Sequence, residues 1–463
     1  MPLPDRVTAA RRHLDRHLFP DPEPSPGAQL SRGWNALLAA SLLALAVVLQ
    51  LARIGWTGSL DTLWAEDGAI YLQGALTQGF FDAITSEYNG YLVLVPRLIG
   101  EFGAAFRLAD WAAAMATLSA VIVALCGFAV WHATAGLIVS RPLRAFLAGL
   151  TVLTSVGGVE TVVSAANVPW FMLVAAFWLL LWRPRTYVGA GLAALFVALT
   201  ALSTPGTLFF LPLALLRALA VRDGRDLTIL GAYFGANLVQ GIAMARSTYE
   251  QVDPVWTPDI WDVLVQRVVD GTVFGLRLGG EVWAVGGWTF LYALTAILVL
   301  GLALGLWRTS PGVRYLAALA IPIALAAFVF SVYQRAVATP MLWLPDDWNE
   351  SAGRYAVVPV MLLLSVILAM VDRSWRGRRW GDRRTWVGLG LTALLVGSAL
   401  VSLPARNVAA RGTPPWSASV EKAERTCAAE PQGGAIFDIS PPGFLFELPC
   451  STVPASSDAA PRR

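Results

Sequence analysis

The sequence predicts an all-α polytopic membrane protein with about eleven transmembrane helices. Three observations predict it. Of 463 residues, 56% are hydrophobic and 14% charged, with a mean hydropathy of +0.59, whereas an ordinary soluble domain carries roughly 25% charged residues. Apolar runs near the length of a hydrocarbon core recur along the chain, and lipid cannot satisfy a bare backbone, so each run is read as a helix. Basic and acidic residues also fall into different segments, as they do in chains threaded through a bilayer.

Taken in order, residues 1–33 form a polar tail with Arg11, Arg12, Pro20 and Asp21 and no cleavage-site pattern, read as cytoplasmic. Residues 34–403 are the transmembrane domain. Spans are expected near 34–54, 110–132, 143–157, 166–182, 187–202, 206–220, 227–245, 287–307, 315–333, 356–371 and 387–403. The third, fifth and sixth are short for a crossing. Arg183 with Arg185, and the cluster Arg373, Arg376, Arg378, Arg379, Arg383 and Arg384, fall in links that a cytoplasmic N-terminus places inside. The formal net charge of +3 is therefore a basic surplus facing anionic membrane lipid, and no nucleic-acid partner is expected.

An odd number of spans leaves residues 404–463 outside as a small cap. Cys427 and Cys450 both lie there, where disulfides persist, while Cys126 is alone in the second span. A Cys427–Cys450 bridge is predicted. WSASVEKAERTCAAE reads as one amphipathic helix, and GGAIFDIS with FLFELPC as two short strands. About sixty such residues make a lid at most.

The polar material gathers in the external segments 55–109, 246–286, 334–355 and 404–463. In the first, residues 66–81 and 91–108 suit two helices lying in the interface plane, separated by the turn signal Asn89-Gly90. Glu66 and Asp67 open the first of them, where free N–H groups and the helix dipole stabilise carboxylates and can present them to a substrate. Trp64 is expected at headgroup level, and Gly68 is expected to let a substrate approach. In the third segment, Arg354 beside Tyr355 is either an interface anchor or a holder of a lipid-linked phosphate. In the second, Trp256, Trp261 and Asp262 suit an aromatic belt or a sugar-stacking surface. No glycine-rich stretch has the strand-then-helix setting of a nucleotide cradle. His13, His17 and His132 all fall at or beyond the cytoplasmic boundary, away from the external acids.

A cytoplasmic N-terminus, one span, and then an acidic pair opening a first external loop with two juxtamembrane helices resembles the GT-C superfamily of membrane glycosyltransferases. The resemblance covers the layout of the whole chain and is most specific over residues 61–110. Weaker echoes lie at VETVVSAANVPWF (159–171) and GRYAVVP (353–359). It implies an inverting hexosyl- or pentosyltransferase that takes a sugar from a polyprenyl-phosphate donor and passes it to an extracytoplasmic glycan or glycolipid acceptor. Asp67 is then favoured as base, with Glu66 orienting the acceptor, pairing with an arginine or holding a divalent cation as in some relatives. Arg97 and Arg354, with Tyr355, would hold the donor phosphate, and Tyr91, Glu160, Asn167 and Trp170 would line the substrate cavity. The plainer reading is that Glu66 and Asp67 cap a helix or neutralise Arg97.

Abundant Arg with a single Lys, and abundant Ala, Gly and Trp, suit a bacterial plasma-membrane protein of an actinobacterial type, acting on a cell-envelope polysaccharide. The rival functions are a lipid-linked sugar flippase or transporter, and a non-catalytic assembly subunit of the same fold. A transporter needs polar groups through the depth of the membrane, and few are expected there.

Overall fold

In the computed structural model, residues 3–21, 31–249, 256, 259–335, 353–375, 383–404 and 414–453 are described. Arg376, Arg378 and Arg379 of the basic cluster lie outside them, as do Asp346, Asp347 and Glu350 before Arg354.

An amphipathic helix α1 (Leu3–His17) precedes α2 (Arg32–Ala52), whose first turn is capped by Ser31 Oγ accepting from the Trp34 N–H at 3.3 Å. A short α3 (Trp56–Leu60) leads to a π-helical turn, Asp67–Leu72, which runs on into α4 (Gln73–Thr77) and α5 (Phe80–Thr85). Strands β1 (Glu87–Tyr88) and β2 (Tyr91–Leu92) then form a hairpin. Asn89 and Gly90 both take positive φ, +53° and +83°, the two-residue turn whose twist matches antiparallel strands. Helix α6 (Leu94–Ala104) closes the loop. The juxtamembrane pair predicted at 66–81 and 91–108 is therefore more broken than expected, with a hairpin where the second helix was to begin.

Then follow α7 (Trp111–Ala133), α8 (Arg141–Val152), α9 (Val168–Leu181), α10 (Tyr187–Ala201), α11 (Leu211–Leu219), α12 (Gly224–Arg246), α13 (Ile260–Leu264), α14 (Gly271–Trp307), α15 (Pro311–Arg335), α16 (Arg354–Trp375) and α17 (Arg383–Val401). Among the described residues six helical stretches are long and apolar enough to cross a membrane: 33–52, 108–136, 224–246, 260–307, 311–334 and 354–375. Four shorter apolar ones, 165–181, 187–201, 205–219 and 386–401, accompany them. Helix α8 has 12 residues, about 18 Å at 1.5 Å per residue, shorter than a hydrocarbon core of roughly 30 Å.

The second external segment is not the loop expected. From Ile260 it is helical, through a π-helical turn at Val265–Asp270 and into α14. Gly275 and Gly287, at φ +64° and +58°, kink the run.

After α17, helix α18 (Trp416–Ala429) and the antiparallel hairpin β3 (Gly434–Ile439) and β4 (Phe444–Pro449) form the C-terminal cap. The Cys427–Cys450 disulfide joins the end of the helix to the end of the hairpin. Cys126 is a free, buried thiol. Trp416, 1% exposed, stacks on Trp111 of α7 and on Phe437 and Phe446 of the hairpin, and its indole N–H donates to the Leu108 carbonyl at 2.9 Å. The cap is thus packed into the first loop and is more than a lid.

The helices have two polar ends. At one lie residues 61–67, 159–167 and 353–355 and the cap. At the other, the buried Asp226 carboxylate accepts from Arg183 and Arg217 at 3.1 and 2.8 Å, while Asp15 of α1 pairs with Arg183 and Arg222. There also Asp372 accepts from the Val139 and Ser140 N–H groups just before α8, and His13 packs between His17 and Tyr315. His132, in the last turn of α7, shares that end.

Candidate functional site

Three segments remote in sequence meet at the first end. The first carries Glu66 and Asp67. The second is the loop between α8 and α9, with 3₁₀ turns at Val159–Thr161 and Ala165–Asn167. The third is the start of α16. That third approach needs Gly353, because a Cβ there would meet the Val156 carbonyl oxygen at 2.5 Å.

Adjacent in sequence, the two acids have different partners. Asp67, buried, accepts from the Ala165 N–H at 3.0 Å, the Ala166 N–H at 2.9 Å and the Ser164 hydroxyl at 3.3 Å. It is a capping carboxylate, but for a turn nearly a hundred residues downstream and not for its own helix. Glu66 is partly exposed, and its carboxylate accepts from the Tyr88 hydroxyl at 3.4 Å. The backbone around them is strained. Ala65 and Val163 hold φ of +41° and +48°, a region that costs non-glycine residues on the order of 1–3 kcal/mol each.

Glu160 caps α16: one oxygen accepts from the Arg354 N–H at 3.0 Å and the other lies 3.3 Å from the Arg354 guanidinium. Burial pushes the Glu160 carboxyl above the ordinary range; Arg354, its N–H and Arg267 oppose the shift, and the charge of Glu66 adds to it. Arg354 also reaches the Tyr355 hydroxyl at 3.4 Å, and Tyr355 meets Trp170 edge to face at 5.2 Å. Asn167 donates to the Glu160 carbonyl at 2.8 Å and to Ser164 Oγ at 3.2 Å. A continuous polar chain therefore runs Arg354, Glu160, Asn167, Ser164, Asp67.

Of the residues named from sequence, Glu66, Asp67, Glu160, Asn167, Trp170, Arg354 and Tyr355 are brought together. Arg97 is not. It is 5% exposed, donates to the carbonyls of Ile70 at 2.8 Å and Glu87 at 3.5 Å, and lies over the Tyr71 ring at 5.6 Å. Burial lowers its pKa, with Tyr71 and Tyr88 pulling the other way. Arg97 thus ties the π-helical turn to the hairpin. Tyr91 pairs across the hairpin with Tyr88. Trp64 is 8% exposed and bridges to Ser440, so it holds the cap and does not face the headgroup region. A Cβ on Gly68 would meet Ile439 at 2.8 Å; its smallness serves cap packing, not substrate approach. Trp256 and Trp261, half exposed, form an edge contact at 6.1 Å, and Asp262 accepts from the Tyr292 hydroxyl.

Sequence reading missed Tyr88, Ser164 and Arg267. Arg267, buried on the π-helical turn after α13, is close enough to act on the Glu160 charge. An arginine at that depth of an apolar pattern, in VQRVVDG, was the available signal. Among the described residues no group of three or more His, Cys, Asp or Glu side chains converges as a metal site would require. No protein-family model, curated protein or solved structure matches the chain.

Proposed function

We propose that the chain is a membrane glycosyltransferase of the GT-C type, transferring a sugar from a polyprenyl-phosphate donor to a glycan or glycolipid acceptor. The observation that carries this reading is one cluster holding a carboxylate, Glu66, whose one donor among the described residues is the Tyr88 hydroxyl, together with a guanidinium at a helix N-terminus, Arg354, and two aromatic rings, Trp170 and Tyr355. The polar links support a path of about eleven crossings, with the cluster on the extracytoplasmic side of a bacterial plasma membrane.

Within that reading the roles of the acidic pair change from the sequence expectation. Glu66 is the base: it takes the proton of the acceptor hydroxyl as that oxygen bonds to the anomeric carbon, worth about 10²–10⁴-fold in rate. The bond from the anomeric carbon to the phosphate oxygen breaks, and the electron pair leaves with the phosphate. Arg354 stabilises that developing charge. Asp67, with three donors already on its oxygens, holds the 164–166 turn in place.

A carrier that opens to both sides fits less well, because the opposite end is closed by buried ion pairs of Asp226 with Arg183 and Arg217. The test is turnover. Purified protein in lipid, given a labelled polyprenyl-phosphate pentose or hexose and an envelope glycan acceptor, is expected to release polyprenyl phosphate, and Glu66→Gln to abolish release while remaining folded. Sugar movement between leaflets without release, or full turnover by Glu66→Gln, would overturn the proposal.

A further inference from the structure

We propose that the C-terminal cap is a positioning element of the site, setting the backbone that aims Glu66; this rests on the glycosyltransferase reading above. The cap reaches the segment that leads into Glu66 through the backbone. Ser440, at the tip of the hairpin, donates its N–H to the Leu63 carbonyl at 3.0 Å and accepts from the Ala65 N–H at 2.5 Å. These two bonds bracket Trp64 and end on the residue whose φ is +41°. A left-handed alanine persists only where its surroundings over-determine it, and here the surroundings are the cap. Two residues on, at Asp67, the chain enters the π-helical turn, and Ile439 and Phe446 of the hairpin stand where a Cβ on Gly68 would project.

The cap is anchored independently of those contacts. The Asp61 carboxylate accepts from the Ser417 N–H and hydroxyl, both at 2.7 Å, and the Asp61 carbonyl accepts from the Trp416 N–H at 2.9 Å. Trp416 lies between α7 and the hairpin, and the disulfide closes helix and hairpin into one unit. Asp61 and Ala65 are thus both held by the same small domain, and the chain between them has little freedom. A lid closing over a finished site would touch its substrate-facing side chains; this cap grips the main chain behind one of them.

The contact between Gly68 and Ile439 gives the test. Gly68→Ala places a methyl 2.8 Å from Ile439 Cδ1, the one atom that Ile439→Val removes. In full-length protein, Gly68→Ala is expected to lower kcat about tenfold with the KM for the polyprenyl-phosphate donor within twofold, since Arg354 is untouched, and the Gly68→Ala/Ile439→Val pair is expected to return kcat to within threefold of the starting protein. A silent Gly68→Ala, or a loss that Ile439→Val does not rescue, overturns the proposal. A second readout needs no turnover: a cysteine introduced as Glu66→Cys should react with a membrane-impermeant maleimide at least fivefold faster or slower once Gly68→Ala is added, and revert with Ile439→Val. An unchanged labelling rate overturns the cap's role whatever the enzyme does. A changed and rescued rate in a protein that turns over no donor instead sinks the glycosyltransferase reading and leaves the cap's hold on the loop standing.

Discussion

Glu66 and Asp67 share a peptide bond and little else. Their addresses were legible in the sequence, as an acidic pair after a first span; their partners were not, because the donors on Asp67 come from residues 164–166 and are fixed by tertiary approach. The geometry separates their mutants. Asp67→Asn puts an amide against backbone N–H groups, and an unsatisfied buried donor costs about 1–3 kcal/mol, so its main effect is expected in the unfolding midpoint. Glu66→Gln is expected to leave that midpoint within a degree or two and to remove activity. Equal loss of stability in both would contradict the division. Glu160 adds a pH dependence. Its native carboxyl holds a proton more tightly than the unfolded chain does, so it contributes a stability that is present in acid and declines as pH rises from the ordinary glutamate value toward the raised one. Glu160→Gln should flatten that part of the thermal-midpoint profile, and a profile unchanged by the substitution would count against the shift.

Among the elements, the ones set by local rules were readable. The Asn89-Gly90 turn, the tail's helix and two strands, and the apolar helices follow from turn chemistry and periodicity. The elements that departed were set by contacts. Residues 66–81 became a π-helical turn with two short helices, wedged between Arg97 and the cap hairpin, and residues 260–286 continued into α14 because their apolar pattern does not stop where a loop was expected. Arg97 shows why an arginine's role resists sequence reading: its guanidinium is buried against the Ile70 and Glu87 carbonyls of its own loop. At the start of α16, Gly353→Ala would force its methyl against the Val156 carbonyl. Overpacking of this kind costs about 1–3 kcal/mol, and the displaced Arg354 should weaken donor binding at least tenfold in a titration with polyprenyl phosphate. Unchanged donor affinity would detach the helix start from the site.

On the scale of the whole molecule, the two ends differ in kind. One end is locked by buried ion pairs around Asp226; the other holds a partly exposed cluster assembled from three segments and braced by the cap. Removing one partner of a buried pair costs about 3–5 kcal/mol, so Asp226→Asn should lower stability strongly while donor affinity of the folded fraction stays within twofold. The measurement that bears most directly on the central claim is a structure with a polyprenyl-phosphate analogue bound. The phosphate is expected within about 4 Å of the Arg354 guanidinium, with the sugar side facing Glu66. A phosphate seated instead at the opposite end, in the groove of about 780 Å³ lined by Leu306, Trp307, Arg314 and Pro322 between α14 and α15, would contradict it.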